Sequence, residues 1–320
     1  MGLTKLDKAA IIAIKDCMGA KPKETVLVIS DVNKREIGLA LFENAKRLGH
    51  ESLYVEMKPG LVNGEEPPKT IADLMAKFDV VLCPTTKSLT HTNARRSASK
   101  KGTRVATFPG ITYDSMVRGL SADYKKVAAL TLKLKRYFEK TKIARITSPA
   151  GTDITMNIAG RKVIPSKGLF HKKGEGGNLP TGETFTAPKE GTANGVFVVD
   201  GSMAGIGVVG KTPIKIYVEN GLATKITGGA KAKKLVKMLE PFGEKGRNIA
   251  ELGIGTNHKA KISGLILEDE KVMGTAHIAL GDNKTMGGKV NVPIHLDGVI
   301  LKPTVYFDDN IIMKDGKLLI

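Results

Sequence analysis

The residues with the most chemistry to offer lie in the last quarter of the chain. The stretch NVPIHLDGVI, residues 291–300, reads as a strand in which Val292, Ile294 and Leu296 alternate with His295 and Asp297. Side chains on a strand alternate between faces, so His295 and Asp297 point the same way, about 7 Å apart along the chain. An imidazole nitrogen and a carboxylate oxygen on one face can grip a metal. The same pair can also serve as a hydrogen-bonded surface couple. Upstream, Glu251 in NIAELGIG alternates with Gly253 and Gly255, so no bulk surrounds it and an ion or ligand could come close. The acidic run Glu268-Asp269-Glu270 reads as a helix start or a turn, with Glu270 near His277 in sequence. Imidazoles and carboxylates without thiolates are the ligand set of a catalytic Zn, Mn, Co or non-haem Fe(II) centre. His258, next to Lys259 in a polar loop, reads as solvated.

Two kinds of element must position these groups. Up to about residue 140, helical and strand patterns alternate: Thr4 to Ala20, the strand ETVLVIS, the amphipathic NKREIGLALFENAKRLG, then ESLYVEM, FDVVLCP and TRVATFP, with helices at 69–77, 92–101 and 122–139. Strands separated by helices imply a mostly parallel sheet, an α/β domain over residues 1–141. From residue 142 the chain turns to closely spaced strands: hairpins around Pro149-Ala150-Gly151 and Glu219-Asn220-Gly221, two tight turns near the end, and one helix at 231–239. Residues 142–320 therefore read as a strand-rich α+β metal-binding domain.

With 320 residues, 41% of them hydrophobic, the chain can bury a substantial core. No apolar run approaches the roughly 20 residues of a membrane span, and the N-terminus lacks the unbroken apolar core of a secretory signal. A cytoplasmic protein is expected. Cys17 and Cys83 are too few for a disulfide framework or a thiolate site. The formal charge of +18 comes from scattered lysines, aromatics are only 5%, and no base-stacking signature appears. A peptide or small anionic substrate is therefore expected rather than a nucleic acid.

Two basic segments have both a plain and a functional reading. LFHKKGEGGNLPTGE, residues 169–183, is a flexible surface loop or a lid whose lysines meet a substrate carboxylate, with His171 within it. In LTHTNARRSASKKG, His91 and Arg95 are four apart, one face of a solvated basic helix or a pair reaching toward a substrate anion.

The segments GGNLPTGETFTAP, AELGIG, GTAHIALGDN and IHLDG occur in that order. Together they resemble the aminopeptidase T and aminopeptidase S metallopeptidase family across the C-terminal half. The resemblance implies a metal-dependent hydrolase that removes N-terminal residues, with five metal ligands falling on Glu183, Glu251, His277, His295 and Asp297. It implies two divalent ions, Zn, Co or Mn, about 3.5 to 4 Å apart around an activated water, and at least a homodimer. Glu270 is the expected general base. Three departures stand out: Lys284 occupies the place of the family's catalytic Tyr, Gly182 precedes Glu183 where the peptidases tend to have Glu, and the N-terminal half is shorter. The same half also resembles the dihydroxypyridine ring-cleaving dioxygenases, which hold one Fe(II) with residues matching Glu251, His295 and Asp297. The two-metal aminopeptidase is the leading expectation because Glu183 and His277 are both present. The iron dioxygenase is its alternative, and a non-catalytic metal-binding protein is the third.

Overall fold

The computed structural model describes residues 2–320 and divides into two compact units, Met1–Ala128 with Gly168–Thr181, and Ala129–Lys167 with Gly182–Ile320. The expected division at residues 141/142 differs from this partition in two ways. The chain passes from one unit to the other inside the helix Tyr124–Lys140, and the segment 168–181 returns to the first unit. Among the described residues no helix is long and apolar enough to cross a membrane.

The first unit is the α/β fold that the alternating pattern predicts. Its five strands are all parallel, in the order Ser52–Met57, Val26–Asp31, Val80–Cys83, Arg104–Thr107, Gly176–Asn178. The three middle strands are buried along their whole length, which explains the apolar runs Val26–Ile29 and Val80–Cys83. The helix Arg35–Arg47 packs through Ile37, Leu41 and Ala45, one face at helical spacing. The first helix spans Lys5–Ile11, closed at its start by a reciprocal Thr4–Asp7 capping box, and continues as a π-helical turn through Cys17. A helix over Tyr113–Leu120, capped by Thr112, lies where the sequence reading placed no element.

Both basic segments differ from expectation. The glycine-rich stretch contributes the edge strand Gly176–Asn178, and a Cβ on Gly176 would lie 2.2 Å from the Val105 carbonyl oxygen. These glycines allow close strand pairing and do not form a free lid. His171 is tied down, its Nε2 lying 2.7 Å from the Asp16 carbonyl. The helix Asn93–Lys100 starts after its N-cap Thr92, so His91 is outside it and shares no helix face with Arg95.

The second unit contains two antiparallel sheets. The eight-stranded sheet includes both expected hairpins and both turns near the end, among them Ile214–Glu219 with Leu222–Thr227, where Asn220 and Gly221 both take positive φ as a tight turn requires. The seven-stranded sheet runs Gly207–Val208, Ser202–Met203, His295–Leu301, Thr275–Gly281, Ile249–Gly255, Glu183–Thr186, Val163–Ser166. Its even-numbered residues, including Leu252, Ile254, Ile278, Leu280, Leu296 and Ile300, join Ile146, Ile154, Phe197 and Ile216 of the other sheet in one apolar core. On the four strands that carry the predicted ligands the odd-numbered residues face the other way, apart from Ile249, which lies before a register shift and joins the core. The last strand of the site starts at His295, not earlier: residues 291–294 are irregular, and Ile294 packs on the core from outside the strand.

Candidate metal centre

Strand register alone gathers the five sequence-predicted ligands on one face. Asp297 pairs with Ala279, which pairs in turn with Glu251; His277 pairs with Gly253; Glu183 pairs with Gly255; and His295 pairs with Gly281. All five positions are odd-numbered and stand opposite the core. Glycine at 253 is a steric necessity, because a Cβ there would lie 2.0 Å from His277 Nε2. Gly255 does the same for the next loop, since its Cβ would sit 2.2 Å from the Val272 carbonyl oxygen. The two glycines beside Glu251 thus make room for protein groups that complete the site.

That loop carries the acidic triplet, whose members divide their work. Glu268 accepts from the Lys261 amide at 3.2 Å, and Asp269 accepts from the Ser263 and Gly264 amides at 2.7 and 2.9 Å. They brace the short helix Ile266–Asp269, so the next two residues turn into the site. Lys271 Nζ donates to Glu183 Oε1 at 2.6 Å and to Glu270 Oε1, with all three side chains largely buried. The sequence reading gave Lys271 no part. Its only signal was a lysine directly after three acids.

The remaining groups converge at long separations, with one long hydrogen bond, between His277 and Glu251. His295 Nε2 stands 3.3 Å from Glu251 Oε2 and 3.4 Å from Asp297 Oδ1; His277 Nε2 stands 3.3 Å from Glu251 Oε1 and 3.5 Å from Glu183 Oε2. Asp297 Oδ1, Glu183 Oε2 and His277 Nδ1 are buried with no hydrogen-bond partner. Donor atoms about 2.1 Å from one ion and at right angles stand about 3 Å apart, so these separations suit ligands around a cation better than mutual hydrogen bonds. Donors from Glu251, His277 and Asp297 lie within 4.8 Å of one another, as do those of Glu183, Glu270 and His277. His295 Nε2 adds a further donor beside one oxygen each of Glu251 and Asp297.

The two imidazoles are not equivalent. His295 Nδ1 lies 2.8 Å from the Asp282 carbonyl, which can only accept, so Nδ1 carries a proton and Nε2 is the atom that faces both carboxylates; burial works against a charged ring, but Asp297 and Glu251 prevail and raise its pKa, so without an ion Nε2 holds a proton that a metal would displace. His277 Nδ1 has no acceptor. Burying an unpaired N–H costs about 1–3 kcal/mol, so the neutral ring keeps its proton on Nε2 and donates toward Glu251.

Electrostatics call for a cation. Four carboxylates, Glu183, Glu251, Glu270 and Asp297, share the space with one ammonium and two imidazoles, and without an ion the imidazoles take up protons in place of a metal's charge. Burial works against a charged His277, but its hydrogen bond to Glu251 and the charges of Glu183, Glu251 and Glu270 prevail and hold its pKa up at about 9. Burial lifts the Glu270 carboxyl to about 8, with Lys271 pulling the other way and Asp297 and Glu183 adding to the lift. Burial also opposes the Asp297 charge, yet His295 holds that carboxyl well below its usual range. Donor set, orphaned oxygens and field agree: this is a centre for a divalent metal.

A stability prediction follows for the metal-free protein. A group whose folded pKa exceeds its unfolded value contributes stability that is complete below the unfolded pKa and lost as pH rises through the folded one. The windows are 6.5 to about 9 for His277 and 4.5 to about 8 for Glu270. Chelated protein should therefore lose stability steadily from about pH 5 to about pH 9, read as a falling urea midpoint. A midpoint that rises across that range would contradict the assigned field.

Comparison with known proteins narrows the chemistry. A curated 2,5-dihydroxypyridine 5,6-dioxygenase from Pseudomonas putida KT2440 is 25% identical over 254 residues, covering 73% of this chain and 69% of that protein. The structure of 2,5-dihydroxypyridine dioxygenase from the same organism superposes with a TM-score of 0.85 at 20% identity, over 99% of this chain and 98% of that one. AmpT from Thermus thermophilus superposes with a TM-score of 0.69 at 16% identity, over 99% of both chains. At these identities the two superpositions establish the shared fold. The family model for 2,5-dihydroxypyridine 5,6-dioxygenase, NicX, matches residues 13–320. This overturns the leading expectation of an aminopeptidase, and with it the hydrolase and protease assignment. The five matched residues reflect a common scaffold, and Lys284, exposed in a short helical turn, is not a peptidase's Tyr. By that match the chain belongs to the 2,5-dihydroxypyridine 5,6-dioxygenase family.

Proposed function

We propose that this protein is a mononuclear non-haem iron(II) dioxygenase that opens a dihydroxypyridine-type ring, with Glu251, His295 and Asp297 as the iron ligands. Membership of the family supplies the reaction class. The observation that carries the ligand assignment is His295 Nε2, its direction fixed by the Asp282 carbonyl and flanked by one oxygen from Glu251 and one from Asp297. Three protein ligands on one side of an iron leave positions open for substrate and oxygen.

Iron(II), when bound, supplies the one-electron chemistry that lets dioxygen react with an aromatic ring. The protein's own groups do the rest. The His277 Nε2–H orients the Glu251 carboxylate from behind. The Glu270 carboxyl, with its raised pKa and its place beside Lys271, is suited to take the proton of a substrate hydroxyl and return it later. The chain's formal charge of +18 favours the anionic form of a hydroxylated ring.

The test is oxygen uptake. Protein loaded anaerobically with Fe(II) should consume one dioxygen per 2,5-dihydroxypyridine, with loss of the ring's ultraviolet absorbance. If loaded protein consumed no oxygen with this or other dihydroxylated pyridines, the reading would fall and a non-catalytic metal protein would replace it.

A further inference from the structure

The centre contains two overlapping sets of donors. One is Glu251 and Asp297, which form a group with His277 whose ligand atoms lie within 4.8 Å of one another and each of which has an oxygen 3.3 or 3.4 Å from His295 Nε2; the other is Glu183, Glu270 and His277, whose ligand atoms likewise lie within 4.8 Å of one another. His277 stands where they meet, 3.3 Å from Glu251 and 3.5 Å from Glu183. Only one of the two is open. The Lys271 ammonium lies between Glu183 and Glu270, donating to an oxygen of each.

We infer that the Lys271 ammonium occupies the place of a second divalent ion and thereby limits this centre to one metal. The inference rests on the single-iron reading above and names the residue that enforces it. An ammonium is a compact cation with three donors, able to bridge two carboxylates as an ion would. It differs from an ion in being covalently fixed, so no free metal can displace it without leaving a buried charge unpaired.

The fold holds Lys271 there deliberately. Its carbonyl accepts from the Asn257 amide at 2.9 Å, and Val272 forms a parallel bridge with Asn257. Gly255 permits this close approach, since a Cβ there would lie 2.7 Å from the Lys271 carbonyl carbon. On the other side, the Glu268 and Asp269 hydrogen bonds fix the turn from which Lys271 springs. Lysine at 271 is thus anchored at its backbone on both sides and at its tip by two carboxylates.

The experiment is metal stoichiometry by elemental analysis after loading with Mn(II) and removal of excess, which needs no turnover. Wild type and Lys271→Arg should hold one Mn(II) per chain, and Lys271→Gln should hold two, with the magnetic signature of a coupled pair. A wild type with two ions, or a folded Lys271→Gln with one, would overturn the inference. Should Lys271→Gln fold poorly, Glu270→Gln decides the matter: it should keep its single ion, because Glu270 belongs to the set that Lys271 fills. Loss of that ion would place the metal in the Lys271 set and refute the inference. Failure of the dioxygenase reading would appear separately, as absent oxygen uptake in iron-loaded wild type.

Discussion

Replacing both His295 and Asp297 with Ala should abolish metal binding while leaving the metal-free protein close to its normal stability. Both residues stand on the sheet face opposite Leu296 and Ile300, so their loss opens no cavity in the apolar core. What disappears is the imidazole nitrogen aimed by Asp282 and one of the carboxylates facing it. A ligand that binds only the native state stabilises it by mass action, about 2.7 kcal/mol when the free ion is a hundredfold above its dissociation constant. For a unit of this size that is a shift of about 5 to 10 °C in melting temperature. Wild type should therefore melt several degrees lower after chelation, and the double variant should melt near the chelated value with or without added ion. A double variant with wild-type metal content would return His295 and Asp297 to an ordinary surface pair.

The second large effect is expected at Gly253, which no ligand search would single out. A Cβ there would lie 2.0 Å from His277 Nε2, so Gly253→Ala must push the imidazole off its place between Glu251 and Glu183. Overpacking of this kind costs about 1–3 kcal/mol. Misplacing a positioning group by an ångström can cost about a hundredfold in rate. Gly298→Ala is the matched control, because its Cβ would meet Val199 Cγ2 at 2.6 Å on the core side of a neighbouring strand. Both variants should be less stable, but only Gly253→Ala should lose oxygen uptake or bind metal abnormally. Equal activities in the two would show that the His277 position does not matter.

The shared face of His295 and Asp297 was legible in the sequence because strand alternation is a strict rule, whereas Glu183 and His277 were suggested only by the family resemblance. Given that Leu296 is buried, His295 and Asp297 have to face the other way, and the glycines around Glu251 announce a close approach. What approaches could not be read: Gly253 receives an imidazole, and Gly255 receives the backbone of Lys271 and Val272. Lys271 was invisible for the same reason. A lysine after three acids looks like a solvated charge run, and only the bridge between Val272 and Asn257 turns it inward. That omission led to the wrong function, because Glu183 and His277 suggest two metals only while no other cation is known to sit between Glu183 and Glu270. In the first unit the parallel sheet followed from strands that alternate with helices. The helix Tyr113–Leu120 was overlooked because the tight turn before it, with Pro109 and Gly110, reads as loop. The face-sharing expected of His91 and Arg95 failed on a single residue, since Thr92 starts the helix after His91.

The His277 strand is the fourth of seven, with hydrogen-bonded neighbours on both sides. Fraying starts at sheet edges and reaches such a strand last, so its amides should exchange with solvent only through global opening. His295, by contrast, keeps about a third of its side chain exposed. Metal can therefore enter and leave at the His295 rim while the sheet behind it stays closed. Demetallation and unfolding thus become separate kinetic events, and the emptied protein retains the geometry to which an ion returns.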